Sequence, residues 1–141
     1  MALVLGIDPG VNTGFAVWDT TRRQLLRVDT LRITDALLAV LALQEGGGEI
    51  RVIFEDARLR KWLPREMSNS EYRGKLMGAG SIKRDCDIWE EFCTEHSIPF
   101  EAVPPRKGLT KWTAESFARV TGWKGRTSNH ARDAAMLVFG K

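Results

Sequence analysis

Residues 4–19, VLGIDPGVNTGFAVWD, constrain the fold more than any other part of the chain. An apolar run over residues 3–7 ends directly at Asp8, a Pro-Gly pair follows as a turn signal, and a second apolar run comes after it. This pattern predicts a hairpin whose first strand is buried on both faces. Asp8 then lies at the end of that strand, where it is either a turn cap or part of a polar site.

The next fifty residues predict where a second carboxylate lies. Residues 24–31 favour a third strand in an antiparallel meander, and Thr34 is expected to cap a helix that ends at the three glycines 46–48. Residues 51–55 predict a strand parallel to the first, because a helical crossover separates the two. Glu55 should therefore lie beside Asp8, whereas Asp56 points to the opposite face and is interpreted as a capping or loop residue.

The second half of the chain predicts three helices and one strand. Residues 57–73 are expected to form a loop, and a helix with an apolar face runs from Gly74 to His96. A strand over residues 99–103 precedes a helix that Thr110 is expected to cap, with Lys111 in its first turn. A lysine there opposes the helix dipole, which suggests an anion nearby.

The last helix is predicted over residues 130–140, capped by Ser128 or Asn129. His130 and Asp133 are three residues apart and share one helix face. On their own, a surface histidine and a first-turn aspartate would also explain this pair.

Length and composition favour one α/β domain of 141 residues, because 43% hydrophobic and 28% charged residues are typical of globular proteins. The start has no basic segment of a signal peptide, and we expect no membrane span. Cys86 and Cys93 are seven apart and cannot form a CxxC pair, which favours a reduced, cytoplasmic protein.

Basic residues are concentrated in two segments, although the net charge is only +3. Residues 58–75 hold six basic and two acidic residues, and residues 106–126 hold six basic and one acidic. Two such segments in an otherwise acidic chain suggest a polyanion partner, with solvated loops as the alternative. Trp62 could stack on bases among the arginines. The candidate DNA contacts are Arg58, Arg60, Lys61, Trp62, Arg73, Lys75, Arg106, Lys107, Lys111, Lys124 and Arg126.

Together, Asp8, Glu55, Asp133 and His130 predict a metal site at two neighbouring strand ends and one helix start. Clustered carboxylates repel each other, and a divalent cation relieves this repulsion. Oxygen-rich ligands suit Mg²⁺ or Mn²⁺, and two such ions about 3.5–4 Å apart are the usual arrangement for phosphodiester hydrolysis. A nearby lysine such as Lys111 would neutralise charge on the scissile phosphate.

The segment GIDPGVNTGFAV, the isolated Glu55 and the closing His130-x-x-Asp133-Ala-Ala resemble the RuvC-type Holliday-junction resolvases. The resemblance implies a ribonuclease H-like fold, an α/β arrangement of a five-stranded mixed sheet flanked by helices. It implies metal binding by Asp8, Glu55 and Asp133, with His130 as the histidine variant of a position that is aspartate in other members. The family's lysines after the last strand fall on Lys107 or Lys111.

The same resemblance implies a homodimer through the helix from Gly74 to His96, whose two sites cut symmetric strands of four-way DNA. This chain is compact, and its EDARLRKW segment is similar to phage-type members, which leaves specificity for junctions over other branched DNA open. Three other interpretations remain. They are a ribonuclease H-like enzyme acting on RNA–DNA hybrids, a non-catalytic module that binds branched DNA, and an actin-like ATP-binding protein, which would need a second domain.

Overall fold

One mixed sheet organises the computed structural model of the chain, which describes residues 2–59, 69–105 and 111–141, with only the backbone over 69–79. The strands of this sheet in the described residues are β1 (Ala2–Asp8), β2 (Asn12–Asp19), β3 (Gln24–Arg32), β4 (Glu49–Glu55) and β5 (Phe100–Val103). Their spatial order is β3-β2-β1-β4-β5. The prediction of a five-stranded mixed sheet is therefore confirmed.

Strand pairing brings two carboxylates to the same edge of this sheet. β1 to β3 form an antiparallel meander, whereas β4 pairs parallel with both β1 and β5. The register of β1 on β4 sets Ile7 opposite Phe54. Asp8 and Glu55, one residue further along, consequently end two neighbouring parallel strands, as the sequence predicts.

Helices cover both faces of the sheet. Within the described residues these are α1 (Ile33–Glu45), α2 (Asn69–Glu95), α3 (Ala114–Thr121) and α4 (Asn129–Val138), with a short 3₁₀ helix at Ala57–Leu59. α1 and α2 pack on one face, where Trp89 is completely buried, and α3 and α4 pack on the other, around Phe117. No helix in this part of the chain is long and apolar enough to cross a membrane.

Side-chain alternation along the strands directs the strand-end residues to opposite faces. Val4 and Ile53 pack in the core layer beneath α3 and α4, so Asp8 and Glu55, an even number of residues further along, face that side as well. Phe54 packs beneath α1 and α2. Asp56 follows Phe54 by two residues and lies on that opposite side.

Two glycines let α4 rest directly on the backbone of the sheet. A Cβ atom on Gly6 would lie 2.2 Å from the carbonyl oxygen of Ala134, and one on Gly14 would lie 2.0 Å from that of His130. Neither distance is possible for a real side chain. Glycine at these strand positions therefore sets the height of α4 above Asp8.

The structure corrects three predicted helix starts. α1 begins at Ile33 rather than after Thr34, because pairing with β2 holds Arg32 extended up to the helix. α2 begins at Asn69, five residues earlier than predicted, so the expected loop is shorter.

The third correction concerns α3, which Thr113 caps by accepting a hydrogen bond from the backbone N–H of Ser116. The predicted cap, Thr110, lies outside the described residues. Lys111 precedes the cap by two residues and is not in the first turn, so the argument from the helix dipole does not apply to it. The caps predicted for α4 included Ser128, which does accept from the N–H of Ala131.

Candidate active site

Asp8 and His130 form the centre of the candidate site. His130 Nδ1 lies 3.0 Å from Asp8 Oδ2, and the Asp8 side chain is 14% exposed whereas that of His130 is 56% exposed. An ionised carboxylate can only accept a hydrogen bond, so Nδ1 of His130 is the donor in this contact. In the neutral tautomer that donates from Nδ1, the free lone pair of the ring is on Nε2.

Asp133 and Lys111 lie next to this pair. The Lys111 ammonium donates a hydrogen bond to Asp133 Oδ2, and α4 carries Asp133 one turn after His130. This hydrogen bond raises the pKa of Lys111, burial opposes the rise, and the charges of Asp8 and Glu55 add to it. Lys111 is therefore hydrogen-bonded to Asp133, and the negative charges of Asp8 and Glu55 act on it from further away.

The environment of Asp8 differs from that of a surface carboxyl group. Burial raises its pKa, the hydrogen bond from His130 lowers it, and the negative charge of Asp133 raises it further. A second carboxylate close enough to raise the pKa of Asp8 creates a local excess of negative charge. Lys111 supplies one compensating cation in the described structure.

An open trough of about 570 Å³ begins at this acidic group and continues across β4 and β5. Its entrance is formed by Glu55, Asp133 and Lys111. Beyond them lie the apolar residues Ile53, Val103, Trp112, Met136 and Leu137, together with the charged residues Glu101 and Lys141. The predicted site thus opens onto a space large enough for part of a substrate.

Donor chemistry at the site suits a hard divalent cation, since Asp8, Glu55 and Asp133 provide carboxylate oxygens and His130 provides a ring nitrogen. The negative charge around Lys111 is a further reason for a cation to bind here. Among the residues that the structure describes, however, no group of three or more acidic, histidine or cysteine side chains is arranged to hold a metal ion. The donor types fit the predicted Mg²⁺ or Mn²⁺, and the described side chains do not form a closed ligand shell.

Arg58, predicted to contact DNA, is bound to three carboxylates. Its guanidinium donates to both oxygens of Asp56, at 2.8 and 2.7 Å, and reaches Asp87 and Glu90 of α2. Asp56 also accepts from the backbone N–H of Arg58, which confirms its interpretation as a capping residue. We refer to Asp56, Arg58, Asp87 and Glu90 as the Arg58 clamp. A DNA contact by Arg58 stays a prediction.

The Arg58 clamp adjoins the end of β4. The backbone N–H of Asp56 donates to the carbonyl of Val103 in β5, and the buried thiol of Cys86 contacts the carbonyl of Glu55 at 3.8 Å. The backbone around Glu55 is therefore held by β5 within the sheet and by α2 from the face opposite the trough.

The remaining predicted DNA contacts are only partly described. Lys124 and Arg126 are exposed in the segment between α3 and α4, upstream of His130. The other predicted contacts fall outside the described side chains, and these are Arg60, Lys61, Trp62, Arg73, Lys75, Arg106 and Lys107.

Sequence reasoning missed Arg132, whose side chain is buried within the α4 surroundings. Its guanidinium donates to the carbonyl oxygens of Trp112 and Thr127, at 2.8 and 2.7 Å, and to the side chain of Asn129. Arg132 thereby fixes the backbone beside Lys111 against the helix that carries Asp133. Its position between His130 and Asp133 offered no signal, because a first-turn arginine is usually solvated.

Comparison with known protein families and with characterised proteins finds no match to this chain.

Proposed function

We propose that this chain is a metal-dependent endonuclease that cuts branched DNA, with the four-way Holliday junction as its leading substrate. The observation that carries the proposal is the convergence of Asp8, His130, Asp133, Lys111 and Glu55 at the carboxyl ends of two parallel strands. Ligand sites of open α/β sheets gather at this edge. The resemblance of the same residues to RuvC-type resolvases supplies the choice of DNA.

The order and directions of the strands support a ribonuclease H-like fold as part of this proposal. Cutting two symmetric strands requires two sites, and we propose that a homodimer formed through α2 supplies them. The exposed cations Lys124 and Arg126 would then neutralise DNA phosphates near the site.

Asp8, Glu55 and Asp133 would hold the divalent cations. When bound, these cations would supply Lewis-acid activation of water and stabilisation of the leaving 3′ oxygen. Asp8 orients the imidazole of His130, so that Nε2 can accept a proton from the attacking water. Lys111, which is hydrogen-bonded to Asp133 in this structure, would neutralise charge on the scissile phosphate.

The first experiment incubates the protein with labelled four-way junction, Y-fork, linear duplex and RNA–DNA hybrid, each with Mg²⁺, Mn²⁺ or EDTA. Paired symmetric nicks in the junction, absent with EDTA, are the expected result. Equal cutting of forks would broaden the substrate to branched DNA in general. Preferential cutting of the hybrid, or tight junction binding without any cutting, would refute the proposal.

Three single variants test the site itself. Asp8→Asn, Glu55→Gln and Asp133→Asn should each abolish cleavage while junction binding persists, because each removes a carboxylate and keeps the side-chain shape. Asp35→Asn is the matched control, since Asp35 is an exposed carboxylate in the first turn of α1. Cleavage at the wild-type rate by the three site variants would remove these residues from the mechanism.

A further inference from the structure

The trough next to the candidate site combines apolar and charged residues, and phosphodiester hydrolysis alone does not require such a lining. Its floor comes from Ile53 and Val103 in β4 and β5, and one wall comes from Met136 and Leu137 in α4. The indole of Trp112 and the rings of two consecutive prolines, 104 and 105, line the rest. α4 packs mainly on β1 and β2, and the trough lies beside it over β4 and β5.

Charged groups are confined to the two ends of this trough. Glu55, Asp133 and Lys111 form the end at the candidate site, whereas Glu101 and Lys141 form the far end. An occupant that matches this distribution is flat and apolar on its faces, and it carries polar groups or phosphate at its edges. The volume of about 570 Å³ lies within the range of small-ligand sites, roughly 300–1,000 Å³.

We propose that the trough binds one unstacked nucleobase from the nucleotide next to the scissile phosphate. This inference rests on the proposed nuclease function and adds a subsite to it. Bases at a branch point have already lost part of their stacking, so placing one in a pocket is less costly than in continuous duplex. Trp112 and Met136 would contact the faces of the base, while the phosphate stays near Lys111.

Photocrosslinking tests the proposal on the wild-type protein. Four-way junctions carry 5-iodouracil at single positions around the cut, and the complexes are formed in EDTA and irradiated. The expected crosslinks come from the nucleotide flanking the cut, and they fall on the tryptic peptide that begins at Trp112 or on the peptide, residues 133–141, that contains Met136. Absence of crosslinks on both peptides, with the junction bound, would overturn the proposal and favour a protein partner for the trough.

A variant that fills the trough provides a second test. Met136→Trp should lower the cleavage rate about tenfold or more, because the indole would occupy the space of the base, while overall junction affinity changes little. Leu38→Trp is the matched control, since Leu38 is 64% exposed on α1 at the other face of the sheet. Wild-type cleavage by Met136→Trp would refute the proposal, and the crosslinking result stands even if this variant does not fold.

Failure of this inference and failure of the proposed function give different results. A wild-type protein that cuts junctions with divalent cations, but whose crosslinks avoid the trough, retains its function and loses the subsite. A wild-type protein that cuts no nucleic acid refutes the nuclease itself.

Discussion

Replacing Arg58 by alanine tests what holds the end of β4 in place. Asp56 is 2% exposed and is bound by the Arg58 guanidinium through two hydrogen bonds, whereas the Arg58 side chain is 25% exposed. Arg58→Ala leaves this buried carboxylate with the backbone N–H of residue 58 and without its guanidinium partner. The expected result is a marked loss of stability, because an uncompensated charge would remain in the core.

The magnitude follows from the exposure of each partner. Removing one member of a fully buried pair costs about 3–5 kcal/mol, and partial exposure of Arg58 reduces this to roughly 2–3 kcal/mol. The links to Asp87 and Glu90 add little, since those side chains are 64% and 46% exposed. The double variant Arg58→Ala, Asp56→Asn has no buried charge at this position. It should therefore recover roughly 1–2 kcal/mol of the stability that Arg58→Ala loses.

Urea unfolding at several pH values measures this effect. The hydrogen bonds from Arg58 hold the pKa of Asp56 below its ordinary value of about 3.9. A carboxyl group with a lowered pKa in the folded state stabilises the protein above its unfolded pKa, and this contribution is lost as pH falls through the folded pKa. The difference in unfolding free energy between wild type and Arg58→Ala should therefore be largest near pH 6 and decrease below about pH 4.

Arg27→Ala is the matched control, because Arg27 pairs with Asp29 where both side chains are more than 40% exposed. It should cost about 0–1 kcal/mol. An equal cost for Arg58→Ala, or a cost that does not change with pH, would refute the clamp argument. The salt dependence of junction binding separates the two interpretations of Arg58: an unchanged slope assigns it to the clamp alone, and a slope reduced by about one assigns it to DNA.

Three further predictions concern the surroundings of the site. Gly14→Ala should destabilise the protein by about 1–3 kcal/mol or more and also impair cleavage, because a Cβ there overlaps the His130 carbonyl in α4. Lys111→Met should lower cleavage about 10²-fold with little effect on binding, if its charge acts on the transition state. The pair Lys124→Ala and Arg126→Ala should weaken junction binding and reduce its salt slope by about two.

Each of these has its own control and its own contradicting result. Gly47→Ala tests a glycine with open space at its Cβ and a positive φ, so it should be strained without moving α4, and thermal unfolding compares it with Gly14→Ala. Single-turnover rates separate chemistry from binding for Lys111→Met, and an unchanged rate would exclude Lys111. A salt slope equal to wild type would place Lys124 and Arg126 away from the DNA.

Local patterns were sufficient to predict the strands and the position of the acidic edge. A run apolar at nearly every position marks a strand buried on both faces, and a helix between two strands implies parallel pairing. From these two rules alone, Asp8 and Glu55 fall side by side, and alternation separates Glu55 from Asp56. The predicted helix start at Thr34 was wrong because strand pairing extends to Arg32 and the helix follows directly. The predicted start at Thr110 was wrong because Thr113 caps that helix instead.

The sequence by itself determined which residues could form the site, since residue type and strand or helix position are local properties. Only the tertiary structure decided how closely they meet, because that depends on contacts between distant segments. Gly14 gives α4 its height over Asp8, Arg132 fixes the backbone beside Lys111, and Arg58 holds the chain after Glu55. Each of these contacts joins residues far apart in the chain or depends on burial, which no local pattern reports.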